Sequence, residues 1–273
     1  MKQFILNSMP DKNGQLRFEG GDYRYLARVR RLAPGEYFPA LLPGASDSVN
    51  VRVLSVDKNV LIGEISDERN AVAAVPKNTL PPIFLFQSLP KGEKMDIIVR
   101  QAAEGGLEQI VPFMSEFSAV KNIKNTGHKF TRWERIIKEA RQQSGSTAHT
   151  VIRQPLSIDG LFSFWEELSS QKSGVLGLLF HHLPLEPQPS PQGEGSPLEN
   201  ASLHGYLYNE PEIVALAIGP EGGFSPSEAQ RFMAAGFKPV IIGETILRTE
   251  TAALYAQAAV RVLLLERDSW EKK

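Results

Sequence analysis

Two patterns of apolar and polar positions follow one another along the chain. Up to about residue 72, short apolar runs are separated by turn residues such as Asn13-Gly14 and Pro34-Gly35. The runs are Leu16–Phe18, Tyr37–Leu41, Val49–Val53 and Val60–Ile65. Several short strands at this spacing are typical of a small β-barrel, and Asp22–Leu32 is predicted to form a short helix beside it.

From residue 73 onward, apolar runs alternate with helical patterns. The runs are Ile83–Phe86, Ile110–Phe113, Gly174–Phe180, Ile213–Ile218 and Val240–Ile242, and helices are predicted near Lys91–Glu104, Phe130–Gln143 and Thr251–Glu266. Strands that alternate with helices predict a parallel sheet covered on both faces, with ligands bound at the carboxyl ends of the strands. The chain is therefore predicted to be an α/β protein, with a small β-barrel domain at 1–72 and a parallel-sheet domain at 73–273.

One segment interrupts this alternation. Residues 184–206 hold five prolines and three glycines, and a structureless stretch of this length is unusual inside a domain. We interpret it as a mobile surface insertion, either a loop without a role of its own or a lid that contacts the substrate.

The amino-acid composition excludes several kinds of functional site. The 273 residues include no cysteine, which excludes disulfides, cysteine-ligated zinc and thiol catalysis. The five histidines show no metal-ligand spacing. The net charge of −1 requires any nucleic-acid binding to use a local basic face. The apolar stretch Phe4–Leu6 is too short for a signal peptide or a membrane span, so we expect a soluble cytoplasmic protein without membrane or metal.

The first motif that could carry chemistry joins a strand to a helix through glycines. An apolar run up to Ile218 leads into Gly-Pro-Glu-Gly-Gly-Phe, and Ser225, Pro226 and Glu228 then form the signals of a helix start. Glycines at such a junction let a ligand approach the main chain closely. A tight turn without a ligand explains the spacing equally well, and the Lys-Ser/Thr ending of a phosphate loop is missing.

The second motif, Ile241–Leu254, repeats this arrangement further along the chain. A strand ends near Gly243, a short loop follows, and Arg248 stands directly before the last helix. On pattern alone, Arg248 forms a surface ion pair with Glu244 or Glu250, which is a common arrangement, or it points into a site at the strand end.

Together these residues closely resemble one family. Ile218–Ser225 followed by Ile246–Ala252 is similar to the RNA methyltransferases that make N3-methyluridine in 16S ribosomal RNA, a family of knotted methyltransferases. The resemblance continues in Lys91–Asp96, in Pro112–Glu116 and, near the N-terminus, in Val29–Leu32. It covers nearly the whole chain apart from the proline-rich insertion.

The resemblance implies a fold, a cofactor and a binding site. The fold would be a parallel-sheet domain with a deep trefoil knot, preceded by a PUA-like barrel, in a homodimer with the last helix at the interface. S-adenosylmethionine would lie among the loops after three strands, held mainly by backbone groups. The implied cofactor-binding residues are Phe180, His181, Ile218, Gly219, Pro220, Gly222, Gly223, Ile242, Gly243, Ile246, Leu247, Thr249 and Ala252.

The implied reaction is direct methyl transfer to a uracil N3 of 16S ribosomal RNA in the small ribosomal subunit. Because the N3 proton must leave, and because the anion spreads its charge onto both carbonyl oxygens, a base and a cationic donor are needed. Arg248 is the predicted donor, since arginine stays charged. Glu221 is the first candidate for the base and Glu250 the second.

Basic residues near two predicted helices are the candidates for RNA contacts. They are Arg24, Arg28, Arg30 and Arg31 in the first domain, and Arg132 and Arg141 in a second cluster with neighbouring lysines. Three positions depart from the family pattern: Tyr25 stands in place of histidine, and Phe117 and Ser146 each in place of arginine. These departures bear on RNA docking and leave the cofactor motifs intact.

Three other functions remain open at this stage. A knotted methyltransferase that acts on transfer RNA would share the same motifs. A non-catalytic RNA-binding protein of ribosome assembly is disfavoured by the intact Arg248–Thr251 segment. A nucleotide hydrolase that uses Gly219–Gly223 is disfavoured by the missing lysine.

Overall fold

The computed structural model describes residues 3–45, 48–66, 80–119, 127–181, 202–241 and 243–270. The chain divides into two compact units. The first comprises Met1–Asn78 together with Lys138–His149, and the second comprises Thr79–Ile137 together with Thr150–Lys273. This division differs from the sequence-based one at residue 72 in that residues 138–149 pack with the first unit. These residues belong to the first unit because Gln3 Nε2 donates to the Ser146 carbonyl (2.8 Å) and Lys138 Nζ donates to Asn7 Oδ1 (2.6 Å).

The first unit is built on a five-stranded sheet in the order β1-β3-β4-β5-β2. The strands are β1 (Phe4–Ile5), β2 (Gln15–Glu19), β3 (Tyr37–Leu41), β4 (Ser48–Val56) and β5 (Val60–Ser66). β1 runs parallel to β3 and the other pairs are antiparallel. Alternate apolar side chains fill one core in which the rings of Phe4, Phe18 and Phe38 meet edge to face. The four predicted strands are confirmed, and β1 was not predicted.

The helix predicted over Asp22–Leu32 is shorter and of mixed type. Helix α1 (Gly20–Tyr23) continues into a π-helical segment, Arg24–Val29. The helix stops there because Arg31 adopts a left-handed backbone conformation (φ 56°) and the Leu32 N–H turns back to the Leu26 carbonyl. Wide π-helical turns are rare and occur frequently at functional sites.

The second unit contains a parallel sheet in the order β12-β10-β11-β6-β7-β8, with β9 also paired to β7. The strands are β6 (Ile83–Ser88), β7 (Gln109–Met114), β8 (Val151–Ile152), β9 (Leu156–Ser157), β10 (Val175–Phe180), β11 (Ile213–Ile218) and β12 (Lys238–Val240). All described pairings are parallel. The predicted parallel sheet is confirmed. The order places β11, a fully buried strand, at the centre, with β10 and β6 on its two sides.

Helices flank this sheet: α2 (Lys94–Glu104), α3 (Gly127–Ser144), α4 (Ile158–Gln171), α5 (Leu203–Tyr208), α6 (Pro226–Ala234) and α7 (Thr249–Trp270). α4 was not predicted. It begins at the Ser157 cap and buries Leu161 and Trp165. Helix α5 begins at Leu203, so the prediction that residues 184–206 form no regular structure is wrong for their last residues. Residues 184–201 of that stretch lie outside the described residues.

None of the described helices is long and apolar enough to cross a membrane. Within the same part of the chain, no group of three or more histidine, aspartate or glutamate side chains is placed to hold a metal ion.

Candidate functional site

A cleft opens at the carboxyl ends of β10, β11 and β12, where adjacent parallel strands release their loops to the same edge. Its empty volume is about 860 Å³, part of it open to solvent. The lining comes from three segments: Phe180–His181, Ile218–Gly223, and the stretch from Val240 to Ala252. The predicted convergence of three strand ends on one site is therefore found.

The lining includes most of the predicted cofactor-binding residues. These are Phe180, His181, Ile218, Gly219, Pro220, Gly222, Gly223, Gly243, Ile246, Leu247, Thr249 and Ala252. Ile242 lies outside the described residues. Three lining residues were not predicted: Val240, Ile241 and Thr245. Each stands within or directly before the second motif, so its neighbours in sequence were the available signal.

Glycine is required at the turn after β11 by the close approach of its own main chain. A Cβ on Gly219 would lie 3.0 Å from the Gly223 carbonyl carbon. Gly223 itself has a φ of 69°, which side chains rarely allow. The turn therefore presents bare main chain to the cleft, as the sequence predicted.

Helix α6 starts from this turn with the predicted capping box. The Ser225 Oγ accepts from the Glu228 N–H (3.3 Å), and the Glu228 carboxylate accepts from the Ser225 N–H (3.0 Å). Glu228 is 5% exposed, and its other oxygen accepts from the Glu116 N–H (2.8 Å). One buried carboxylate thus links the start of α6 to the loop after β7.

A second buried network joins the two motifs. The Thr249 hydroxyl donates to the Gly219 carbonyl (2.6 Å) and accepts from Gln87 Nε2 (3.0 Å). Gln87 is fully buried at the end of β6 and also donates to the Ser88 carbonyl. The sequence did not point to Gln87, because Gly219 and Thr249, which it contacts in the fold, lie more than 130 positions away in the chain. The network fixes the start of α7 to the glycine turn, so the two loops of the cleft form one assembly.

Glu221 is held by cationic and main-chain donors. Its carboxylate accepts from Lys94 Nζ (2.6 Å) and from the Lys91 N–H (3.1 Å). Partial burial raises the pKa of Glu221, but the hydrogen bonds from Lys94 and from main-chain N–H groups lower it more, so its pKa lies below the usual carboxyl value. A carboxylate with a lowered pKa is a weaker proton acceptor than one with the usual pKa. Lys94 was not among the predicted site residues.

Arg248 and Glu250 flank the start of α7. Arg248 is exposed, and within the described part of the chain it forms none of the ion pairs that its pattern suggested. Its side chain is therefore available to a ligand that enters beside the cleft. Glu250 approaches Lys94 Nζ at 4.0 Å, and its Oε2 is buried without a hydrogen-bond partner among the described residues.

The predicted RNA-contacting arginines differ in exposure. Arg24, Arg28 and Arg31 are exposed on or next to the π-helical segment, and Arg30 is half-buried. Arg132 pairs with Asp96 (2.6 Å). Arg141 is only 6% exposed, and a guanidinium buried this deeply is poorly placed to meet a phosphate.

Comparison with known proteins identifies a family whose model matches this chain and several proteins with similar sequences. A family model described as an RNA methyltransferase domain matches residues 76–261. The ribosomal RNA small subunit methyltransferase E of Synechocystis sp. is 31% identical over 244 residues, which cover 88% of this chain and 70% of that protein. The protein of the same name from Aquifex aeolicus is 32% identical over 230 residues, covering 83% and 86%.

Solved structures share the fold. A putative methyltransferase of Legionella pneumophila, in complex with bound S-adenosylmethionine, matches with a TM-score of 0.73 and 26% identity over 96% of this chain and 97% of that chain. The ribosomal RNA small subunit methyltransferase E of Neisseria gonorrhoeae, also bound to S-adenosylmethionine, matches with a TM-score of 0.73 and 24% identity over 96% and 98%.

Proposed function

Because this chain belongs to the RNA methyltransferase domain family, we propose that it transfers a methyl group from S-adenosylmethionine to N3 of a uridine in small-subunit ribosomal RNA. The relatives named for small-subunit ribosomal RNA cover 88% and 83% of this chain. Acting on the small ribosomal subunit would place the enzyme in the cytoplasm.

The observation that carries the proposal is the cleft with its bare main chain. S-adenosylmethionine presents an adenine edge, a ribose and a charged amino acid, and main-chain N–H and C=O groups can recognise the polar edge of an adenine. Gly219, Gly223 and Gly243 expose such groups because a side chain would collide with the backbone or strain it. Apolar residues beside them, such as Ile246 and Leu247, would pack against the adenine ring. The residues present therefore fit this cofactor, which supplies an electrophilic methyl group when bound.

The chain's own residues would prepare the uracil. Arg248 would donate to a uracil carbonyl oxygen and stabilise the negative charge that develops as N3 loses its proton. Glu221, with its lowered pKa, would act as the anchor that ties the glycine turn to α2 through Lys94. We therefore propose a positioning role for Glu221 instead of proton transfer.

RNA would be bound by the exposed arginines of the first unit. Arg24, Arg28 and Arg31 lie on a π-helical segment or at its strained end, and arginine suits phosphate recognition because its guanidinium donates in parallel pairs. Arg132 remains a candidate on the second unit, whereas Arg141 is left out because of its burial. We expect the first unit to be a PUA-like barrel.

The chain path supports a knot. β12 pairs with β10 at the edge of the sheet, whereas α7 packs against α2, β6 and β11. The chain must therefore pass from the edge strand β12 to the loop after β11, where the Thr249 hydroxyl donates to the Gly219 carbonyl. We propose that this crossing is the trefoil knot implied by the resemblance.

A second copy of the chain would cover the outer face of α7. Leu254, Tyr255, Val262 and Leu265 are between 38% and 63% exposed along this helix. An apolar stripe of this kind buries favourably against its own symmetry mate. We therefore propose a homodimer with α7 at the interface.

A methyl-incorporation assay tests the proposed function. The protein is incubated with S-adenosylmethionine carrying a tritiated methyl group and with small ribosomal subunits from cells that lack this activity. Label is expected in small-subunit ribosomal RNA and not in transfer RNA or large subunits. Label in transfer RNA alone would replace the proposal by a transfer-RNA methyltransferase. Absence of label, with S-adenosylmethionine still bound, would favour a non-catalytic RNA-binding protein.

A further inference from the structure

The loop after β7, Ser115–Ser118, is held rigidly at the carboxyl edge of the sheet. The hydroxyls of Ser88, Ser115 and Ser118 form a buried cluster, with Ser88 Oγ lying 2.6 Å from Ser115 Oγ and 2.9 Å from Ser118 Oγ. The Ser115 N–H donates to Ser118 Oγ (2.9 Å). The Glu116 N–H donates to the buried Glu228 carboxylate. The backbone on both sides of Phe117 is therefore fixed.

The Phe117 side chain extends from this fixed loop, where it is partly exposed and also packs against the glycine turn of the cleft. Its side chain is 47% exposed. It also packs on the main chain of the cleft's glycine turn, because a Cβ added to Gly222 would lie 3.0 Å from Phe117 Cβ and 3.4 Å from Cγ. Single exposed apolar residues are common on protein surfaces. What distinguishes Phe117 is the combination of a rigid support, a half-open ring and direct contact with a residue that lines the cleft.

We infer that Phe117 is a stacking platform for an unpaired nucleobase of the RNA substrate at the edge of the cleft. This inference rests on the proposed function, since it needs an RNA at this site. Proteins bind unpaired bases by stacking them on aromatic rings or on arginine planes. A phenylalanine ring offers a flat apolar face without a charge, so it suits a base and not a phosphate.

Replacing the ring while keeping an apolar side chain tests this role. Phe117→Leu retains packing against Gly222 but removes the aromatic face, and Phe117→Trp retains the face. The KM for unmethylated small subunits is expected to rise roughly 5- to 100-fold in Phe117→Leu, the usual effect of losing one stacked base, and to stay near the wild-type value in Phe117→Trp. The dissociation constant for S-adenosylmethionine should be unchanged in both variants.

A binding measurement that does not depend on methyl transfer accompanies these kinetics. A short single-stranded oligouridine with one 2-aminopurine loses fluorescence when that base stacks. Quenching is expected with the wild-type protein and with Phe117→Trp, and is expected to be lost with Phe117→Leu. The inference is overturned if Phe117→Leu quenches and methylates like the wild type, or if its affinity for S-adenosylmethionine falls as much as its KM rises. Wild-type protein that quenches the probe but methylates no ribosomal RNA would instead contradict the proposed function.

Discussion

At the scale of single residues, the cleft depends on contacts that remove freedom from its main chain. Gly219 is confined by Gly223, its carbonyl is engaged by Thr249, and Glu221 is tied to Lys94. The contacts with Thr249 and Lys94 join the glycine turn to separate segments of the chain. The turn is thus held in shape before a ligand arrives, which reduces the ordering cost of binding.

Gly219→Ala is expected to weaken S-adenosylmethionine binding about tenfold or more. The new Cβ would press against the main chain of Gly223, and relieving an overpacked contact costs about 1–3 kcal/mol. Isothermal titration calorimetry measures the change. Gly21→Ala is the matched control, because an added Cβ there meets nothing within 4 Å. An unaltered dissociation constant in Gly219→Ala would show that the turn does not contact the cofactor.

Lys94→Met is expected to weaken cofactor binding in a pH-dependent way. At neutral pH Glu221 is a carboxylate, and without Lys94 the turn loses its anchor. Since the pKa of Glu221 is lowered in the wild type, the anchor should persist below the usual carboxyl pKa of about 4.3 and be lost only as pH falls through the lowered value. The difference in affinity between the two proteins should therefore shrink in acid, as measured by fluorescence titration from about pH 7 downward. A difference independent of pH would remove Glu221 from this role.

Arg248→Ala is expected to abolish methyl transfer while S-adenosylmethionine still binds, because the side chain is exposed and is not part of the cleft lining. Removal of a single transition-state donor typically lowers kcat about 100- to 1,000-fold. Single-turnover methylation gives the rate, and calorimetry gives the binding. Arg248→Lys keeps the charge and should recover part of the rate. Full turnover in the alanine variant would exclude Arg248 from the reaction.

At the scale of elements, local pattern identified most strands and the start of α6. The run Tyr37–Leu41 matches β3 to the residue, and the Ser225 capping box forms as written in the sequence. α4 was missed because Gly160 and several serines dilute its helical pattern, although Leu161 and Trp165 share one buried face. The cleft could be predicted from two contiguous motifs. The roles of Gln87 and Lys94 could not be predicted, because the residues that they contact are brought near only by the fold of the sheet.

Ser225→Ala is expected to lower the free energy of unfolding by about 0.5–2 kcal/mol, the usual cost of losing a helix N-cap. The cap is 4% exposed, so water replaces it poorly. Urea unfolding followed by circular dichroism measures the change. Ser163→Ala, at an exposed position inside α4, should stay within about 0.5 kcal/mol of the wild type. Equal effects in both variants would contradict the role assigned to the capping box.

At the scale of the whole molecule, the parallel sheet gathers three loops at one edge, and α7 carries an apolar stripe on its outer face. The sheet order explains why motifs separated in sequence share one cleft. It also explains why a local pattern could not yield the path of the chain, since β12 pairs at the sheet edge while α7 packs near its centre.

Leu265→Asp is expected to shift the protein from dimer to monomer. The side chain is 63% exposed on α7, and a carboxylate buried at an interface without a partner is strongly unfavourable. Light scattering after size-exclusion chromatography reports the mass. Met233→Asp introduces the same charge at a 37% exposed position of α6 and should leave the dimer intact. A wild-type protein that is monomeric at all concentrations would contradict the proposed dimer.

Primer extension on small-subunit ribosomal RNA tests the central claim most directly. A methyl group on uracil N3 blocks the Watson–Crick edge, so reverse transcriptase should stop next to the modified uridine. After incubation of unmethylated small subunits with the protein and S-adenosylmethionine, we expect one new stop, absent without cofactor and absent with Arg248→Ala. Methyl incorporation into the same RNA without any such stop would place the methyl group elsewhere and contradict transfer to uracil N3.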